Sequence, residues 1–134
     1  MYLKVYNCAN LLYVKNNYIL LVKVRNNEKY YLPGGKIEKN ENSLDALIRE
    51  LNEELNIRMS KETFNFVCSI EDVAYPDNQN SVILNCYHSD VSSYNLIKSN
   101  EITDIKMIAL EDKHLMAPAV VKIVKLIEKG VVNV

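Results

Sequence analysis

The most regular pattern of apolar and polar positions runs from Glu41 to Leu55. Within it the apolar residues recur at the i, i+3, i+4, i+7 spacing of a helix with one buried face. They are Leu44, Leu47, Ile48, Leu51 and Leu55. Asn40 or Asn42 can cap the start of this helix, and Asp45 adds a negative charge to its first turn. The pattern therefore predicts an amphipathic helix in the first half of the chain.

Several other apolar runs are short and rich in β-branched or aromatic residues, which favours β-strands. Before the predicted helix these runs are residues 3–5, 11–14, 18–24 and 30–32. After the helix they are residues 64–70, 81–87 and 102–110. Asparagine pairs punctuate the early runs, so residues 11–24 are expected to form a hairpin.

A closing helix is predicted between Pro118, at its first turn, and Gly130, at its end. Its apolar residues again have helical spacing, at Val120, Ile123, Val124 and Ile127. Strands, one acidic helix, further strands and a last helix predict an α/β fold, an α/β/α sandwich with a mixed β-sheet. No linker or repeat divides residues 1–134, so a single domain is expected.

The polar face of the first predicted helix carries a cluster of like charges. Glu50, Glu53 and Glu54 stand at i, i+3 and i+4, a spacing at which like charges cost roughly 0.2–0.5 kcal/mol per pair. Only Arg49 is placed to offset them, four residues before Glu53. Folding does not need this arrangement, whereas Mg²⁺ takes oxygen ligands of this kind. For the glutamates alone, a solvated acidic face is the alternative interpretation.

Two cations and a glycine pair lie near this helix in the sequence. Gly34 and Gly35 follow Pro33 and allow the backbone to approach a ligand closely. Lys36 follows them and is a candidate for contact with phosphate, with a solvated lysine as the alternative. Arg25 ends a predicted strand, and its planar guanidinium suits phosphate groups, although charged strand ends are common without any such role.

The spacing around the glutamates resembles the Nudix box, the signature of the Nudix hydrolases. Gly35, five residues, Glu41, seven residues and then R-E-L-x-E-E-x-x-I, ending at Ile57, match its defined positions. One position departs, because Asn56 stands where the family has glycine. That position ends the helix in the left-handed region, where asparagine is the usual substitute for glycine. The resemblance implies the Nudix fold, which agrees with the order of predicted elements.

The resemblance also implies a reaction, the hydrolysis of a pyrophosphate bond in a nucleoside diphosphate linked to another moiety, with Mg²⁺ or Mn²⁺ as cofactor. Such catalysis depends on positioning and on neutralisation of developing charge. Carried over position by position, the resemblance implies metal ligands at Glu50, Glu53, Glu54 and the backbone carbonyl of Gly34. It further implies that Arg49 orients these glutamates.

Two roles in the implied site remain open at this point. The general base is in some members the box glutamate that corresponds to Glu50, and in others a residue on a later loop. Glu101, in a polar turn before a predicted strand, is the candidate for the second case, with a plain surface glutamate as the alternative. Glu41 matches a box carboxylate at the helix start and is expected to support the metal ligands rather than join them.

Substrate identity is the least determined property. A short chain with nothing appended favours a nucleoside triphosphate, as in the MutT-like pyrophosphatases. Tyr75, about eighteen residues after the box, matches a marker of diadenosine polyphosphate hydrolases, but a chain with nine tyrosines makes this match weak. A diadenosine polyphosphate or nucleotide-sugar hydrolase and a non-catalytic nucleotide sensor are the alternatives. Sensors usually lose box glutamates, and this chain keeps them.

Composition and net charge limit the classes of binding partner that we expect for the protein. The net charge of −1 gives no basic excess for nucleic acid or membrane surfaces, which weakens an RNA 5′-end substrate and favours a small nucleotide. Cys8, Cys68 and Cys86 lack a C-x-x-C pair and are expected to be reduced, structural thiols. With no apolar leader or membrane-length run, a cytoplasmic monomer or homodimer is expected.

Overall fold

Two four-stranded β-sheets carry the fold in the computed structural model, which describes residues 2–134. The strands are β1 Val5–Leu11, β2 Val14–Lys15, β3 Tyr18–Val24, β4 Tyr30–Tyr31, β5 Gly34–Lys36, β6 Asn65–Val73, β7 Ser81–His88 and β8 Ile102–Ala109. The helices are α1 Ser43–Leu55 and α2 Pro118–Glu128, with short 3₁₀ helices at Lys61–Thr63 and Lys113–Leu115.

The first sheet is mixed and the second is antiparallel. Strands run in the order β5-β1-β7-β6 in the mixed sheet, where only the β1–β7 pairing is parallel. In the second sheet β3 pairs antiparallel with β2, β4 and β8. The prediction of an α/β fold with a mixed sheet is therefore confirmed, and the structure adds a second, wholly antiparallel sheet.

Two apolar clusters pack on opposite faces of the mixed sheet. Successive residues of β1 enter different clusters, because successive side chains of a strand point to opposite faces. Ala9 and Leu11 pack with Leu47 and the rest of the buried face of α1. Cys8 packs in the other cluster with Ile123 and the buried face of α2. Within residues 2–134, no helix combines the length and the apolar character that a membrane crossing requires.

The predicted start of the sheet was wrong in its boundaries. Residues 3 and 4 are not in a strand, and β1 begins at Val5 and continues through two asparagines to Leu11. Polar residues lower strand propensity, but β1 is an inner strand, and neighbouring segments supply hydrogen-bond partners for these side chains, apart from Asn10 Oδ1. Asn85 Nδ2, for example, donates to Asn7 Oδ1 at 2.7 Å. The predicted strand 11–14 is instead the crossing between the sheets, so the hairpin shrinks to β2 and β3.

Both ends of α1 lie at residues that the sequence predicted as helix caps. Asn42 Oδ1 accepts a hydrogen bond from the Asp45 backbone N–H at 2.8 Å, so Asn42 is the N-cap. At the other end Asn56 adopts φ 57° and ψ 39°, the left-handed conformation, and its N–H donates to Asn52 O. The prediction that Asn56 ends the helix in this conformation is confirmed. Asn56 Nδ2 also donates to Ile97 O at 2.6 Å, which ties the helix end to the segment before β8.

Substitutions at Asn56 are expected to separate the backbone requirement from the side-chain contact. Asn56→Gly keeps the left-handed conformation and loses only an exposed hydrogen bond, so its free energy of unfolding should change by less than about 1 kcal/mol. Asn56→Val should cost about 1 kcal/mol or more, because a β-branched residue resists positive φ. Urea unfolding of both variants measures the difference. A valine variant as stable as the wild type would contradict this account of the helix end.

Candidate active site

Arg49 on α1 is the centre of a network of carboxylates. Its Nε and Nη2 atoms donate to the two oxygens of Glu41 at 2.8 and 2.9 Å, a two-pronged pairing. Its Nη1 atom lies 3.1 Å from Glu50 Oε1 and 3.3 Å from Glu53 Oε2. Nη2 also donates to the backbone carbonyl of Lys36 at 3.1 Å. One guanidinium therefore links the start of α1, its acidic face and the strand β5.

The pairing of Arg49 with Glu41 is electrostatically strong. Hydrogen bonds from Arg49, and then from the Glu38 N–H, lower the pKa of Glu41 to about 2. The pKa of Arg49 is raised in turn, chiefly by its hydrogen bond to Glu41. Both groups stay charged near neutral pH, so Glu41 holds Arg49 while Arg49 contacts the glutamates one and four residues further along α1.

Glu50 packs against the backbone of β5 in a space that only glycine leaves open. A Cβ atom at Gly35 would lie 1.5 Å from Glu50 Oε2 and 2.5 Å from its Cδ. The Glu50 side chain is 17% exposed. Burial, followed by a hydrogen bond with Glu53, raises the pKa of Glu50 to about 7. The glycine at this box position thus has a physical reason, since any side chain would displace the carboxylate.

Glu54 meets the neighbouring residue of the same strand. The Gly34 N–H donates to Glu54 Oε1 at 3.0 Å. Gly34 has φ 132°, and a Cβ there would lie 2.1 Å from the carbonyl oxygen of Ala9. Burial raises the pKa of Glu54 to about 8, and the charges of Glu50 and Glu101 add to the effect. The backbone of β5 and the acidic face of α1 therefore form one contiguous polar surface.

A cleft of about 610 Å³ opens beside this surface. It is lined by the mixed sheet, by β3 and β4 of the second sheet, by the start of α2 and by the loop after β6. The sequence assigns nine residues as metal ligands, catalytic groups or substrate contacts, and five of these line the cleft, namely Gly34, Lys36, Glu54, Tyr75 and Glu101. Four others are not on its lining: Arg25, Arg49, Glu50 and Glu53. A second hollow of about 610 Å³, between β6 and the C-terminal segment, contains none of the nine.

The two cationic side chains proposed to contact phosphate, Lys36 and Arg25, make different contacts in the structure. Lys36 Nζ lies 4.1 Å from the ring centroid of Tyr6, a cation–π contact on the cleft wall. Arg25 Nη2 instead donates to Asn100 O at 2.6 Å, and its backbone N–H donates to Glu101 O at 2.8 Å. Arg25 therefore anchors the turn that carries Glu101, while Lys36 is the only cationic residue on the cleft lining among the described residues.

Tyr75 is held on the cleft wall by a second tyrosine. The Tyr31 hydroxyl donates to the Tyr75 carbonyl at 2.9 Å, and their ring centroids are 6.2 Å apart. Burial raises the pKa of Tyr31 to about 12, so this hydroxyl stays a donor near neutral pH. Asp104, beyond Glu101 in the sequence, accepts a hydrogen bond from Tyr30 and does not line the cleft.

Among the cleft residues that sequence reasoning missed are Tyr6, Asn10 and Tyr31. The two tyrosines carried no signal, because aromatic residues are common in strands. Asn10 did carry one, since it is a polar residue within an otherwise apolar strand segment, and only 5% of it is exposed. Polar residues are mostly exposed in folded proteins, so a polar residue at a buried strand position signals a role beyond core packing.

The potential ligand atoms around Glu54 suit a hard divalent cation. Carboxylate oxygens and the backbone of Gly34 and Gly35 are the ligand types that Mg²⁺ and Mn²⁺ take, and substrate phosphates and waters usually complete the set. Among residues 2–134, no three carboxylate, imidazole or thiol side chains already converge as a ready cluster. Arg49 Nη1 contacts Glu50 and Glu53, whereas Glu54 accepts a hydrogen bond from the Gly34 N–H.

Comparison with known proteins agrees with the geometry. The sequence matches the NUDIX domain family over residues 5–128. A MutT NUDIX hydrolase from Burkholderia pseudomallei has the same fold, with a TM-score of 0.72, 20% identity and coverage of 90% of this chain and 96% of that one. The C. elegans Ap4A hydrolase gives a TM-score of 0.68 at 19% identity, covering 94% and 97%. Among curated proteins no sequence matches.

A third solved structure is a bifunctional NMN adenylyltransferase/ADP ribose pyrophosphatase from Francisella tularensis, complexed with AMP and a Mn ion. It has a TM-score of 0.68 and 25% identity, and the match covers 92% of this chain and 41% of that one. These likenesses concern the fold, whereas the family match covers most of the sequence. The chain therefore belongs to the NUDIX domain family and is a Nudix pyrophosphohydrolase.

Proposed function

We propose that this Nudix enzyme hydrolyses nucleoside triphosphates to the monophosphate and pyrophosphate, with Mg²⁺ or Mn²⁺ as cofactor. The observation that carries the proposal is the contact between Glu54 and the Gly34 N–H at 3.0 Å, on the lining of a cleft that Lys36 also lines. One cleft thus offers oxygen ligands for a cation and a positive charge for phosphates. A volume of about 610 Å³ is ample for a single nucleotide.

In this proposal Glu50, Glu53, Glu54 and the Gly34 carbonyl hold the cation. When bound, the cation neutralises charge that develops on the phosphates. Arg49 keeps the glutamates oriented through the contacts already described. These assignments extend the family resemblance to particular residues.

The substrate's phosphates and the attacking water are assigned to residues beside the cation ligands. Lys36 contacts a phosphate group, and its cation–π contact with Tyr6 limits where its ammonium group can lie. The base that takes a proton from the attacking water is Glu101, which lines the cleft, or Glu50, which lies against Gly35. Arg25 has an indirect role, because it holds the turn that carries Glu101.

A second candidate substrate is a diadenosine polyphosphate. Tyr75 and Tyr31 stand together on one wall of the cleft, with ring centroids 6.2 Å apart, and aromatic faces of this kind stack nucleobases. The fold is also that of the C. elegans Ap4A hydrolase. Nucleotide sugars, and a sensor that binds without cleavage, are further alternatives. The complete carboxylate set argues against the sensor.

A panel of nucleotides with Mg²⁺ and with Mn²⁺ tests the proposal. We expect release of pyrophosphate from nucleoside triphosphates, no release without divalent cation, and release at least about a hundredfold slower by a Glu54→Gln variant. Cleavage of diadenosine polyphosphates alone would transfer the assignment to the second candidate. Binding without cleavage of any compound would establish the sensor. Gel filtration and cell fractionation test the expected monomer or homodimer and its cytoplasmic location.

A further inference from the structure

Asn10 on β1 is a buried polar residue with an incomplete set of partners. Its Nδ2 donates to Leu32 O at 3.5 Å and to Pro33 O at 3.4 Å. Its Oδ1 is buried and accepts no hydrogen bond from residues 2–134. The two carbonyls that face Nδ2 can only accept, so they fix which edge of the amide carries the oxygen.

A buried acceptor without a donor is costly. Such a group loses about 1–3 kcal/mol relative to a solvated or paired one, so its presence in a folded protein calls for an explanation. Both donor contacts of Asn10 are long, at 3.4 and 3.5 Å, which leaves the amide free to turn slightly. Because Asn10 lines the cleft, such a turn would present the buried oxygen to a donor that enters from outside the protein.

The position of Asn10 shows which donor that is. Asn10 lines the cleft and pairs with Gly34 across β1 and β5, so it lies beside the proposed phosphate end. Phosphate oxygens are acceptors and would repel Oδ1. The nucleoside part of a nucleotide does carry donors, as N–H groups of the base and O–H groups of the sugar. The walls near Asn10 include the apolar Leu32 and Leu84, which suit a nucleoside better than a phosphate.

We propose that Asn10 Oδ1 accepts a hydrogen bond from the nucleoside part of the substrate and thereby contributes to substrate selection. This inference rests on the proposed nucleotide substrate. Asn10 contacts the substrate in this arrangement and takes no part in bond cleavage.

Asn10→Leu tests the inference, because leucine has a similar branched shape and no polar atom. Without substrate, the variant should melt at or above the wild-type temperature, since it removes an unsatisfied acceptor. Its kcat/KM for the preferred nucleotide should fall about tenfold, mostly through KM. The loss should disappear for a ribose triphosphate without a base if a base N–H is the donor, and for the 2′-deoxy or the 3′-deoxy analogue if the corresponding sugar O–H is.

Asn85→Leu is the matched control. Asn85 is also a strand asparagine, but it donates to Asn7 Oδ1 and Cys8 O and accepts from Ser69 Oγ, and it does not line the cleft. It should lose stability and leave nucleotide preference unchanged. If Asn10→Leu behaves in the same way, with lower stability and an equal loss for every substrate, Asn10 only positions Leu32 and Pro33 and the inference is overturned.

Calorimetric binding of non-hydrolysable nucleotides separates this inference from the proposed function. Nucleotides bound but not cleaved, with a weaker dissociation constant in Asn10→Leu, would reject the hydrolysis and support the role of Asn10. Cleavage with unchanged preference in Asn10→Leu would support the hydrolysis and reject the role. Neither binding nor cleavage of any nucleotide would reject both.

Discussion

Glu54→Gln is expected to lower kcat by at least about a hundredfold and, at the same time, to stabilise the metal-free protein at pH 8. The loss of activity follows from removing the charge of a proposed metal ligand. The gain in stability follows from burial, which makes a charged Glu54 costly and raises its pKa to about 8. Glutamine keeps an oxygen that can accept from the Gly34 N–H, so the local hydrogen bond survives.

The pH dependence of this gain has a definite sign. Below about pH 4.5, Glu54 is protonated in both the folded and the unfolded chain, and the wild type carries no penalty. Between pH 4.5 and about 8 the unfolded chain releases this proton more readily, so the free energy of unfolding falls as pH rises. The variant has no ionisable group at this position, so its free energy of unfolding does not show this fall. Its advantage should grow from nil near pH 4.5 to a few kcal/mol, as an order of magnitude, at pH 8.

Thermal melts of metal-free protein at pH 5 and pH 8 measure the effect on stability, and turnover at saturating Mg²⁺ measures the effect on catalysis. Mg²⁺ should raise the melting temperature of the wild type at pH 8 and that of the variant much less, because a ligand of the folded state stabilises it. Glu62→Gln, at an exposed position in the first 3₁₀ helix, is the control and should change neither property. Near wild-type turnover in Glu54→Gln would reject the metal assignment.

The helix α1 shows how far sequence reasoning reaches. Its buried face, its Asn42 cap and its end at Asn56 were all predictable, because each depends on residues within a few positions of one another. The contact between Arg49 and Glu53 was predictable for the same reason, being an i, i+4 pair. Local spacing therefore determined this element and its charge pattern.

What the sequence did not show depends on contacts between distant segments. The carboxylate of Glu50 fills the space beside Gly35, fifteen residues earlier, and only the packing of α1 on β5 reveals why glycine is required there. Asn7 and Asn10 made the extent of β1 hard to predict, because their hydrogen-bond partners come from β7 and from the segment before β5. The cleft itself forms between two sheets, and a single sheet was expected. Tertiary packing thus explains both the errors and the omissions.

The choice of general base gives the second large expected effect. Glu50→Gln should lower kcat and raise the Mg²⁺ concentration needed for half-maximal rate, because Glu50 is a proposed metal ligand as well as a possible base. If Glu101 is the base, Glu101→Gln should lower kcat by about a hundredfold or more while the Mg²⁺ requirement stays unchanged, and it should flatten the acid limb of the pH–rate profile. Glu101 is exposed in the turn before β8 and lines the cleft, so its substitution should leave folding intact.

Kinetics at several Mg²⁺ concentrations and pH values distinguish the two residues. Glu111→Gln, an exposed glutamate just after the same strand, is the matched control and should behave as the wild type. Arg25→Ala adds a positional test, because Arg25 holds the Glu101 turn through Asn100 O and should reproduce part of the Glu101→Gln defect in kcat without altering the metal requirement. If Glu101→Gln keeps full turnover, the base lies on α1. Glu50, against Gly35, is then the residue that accepts the proton from water.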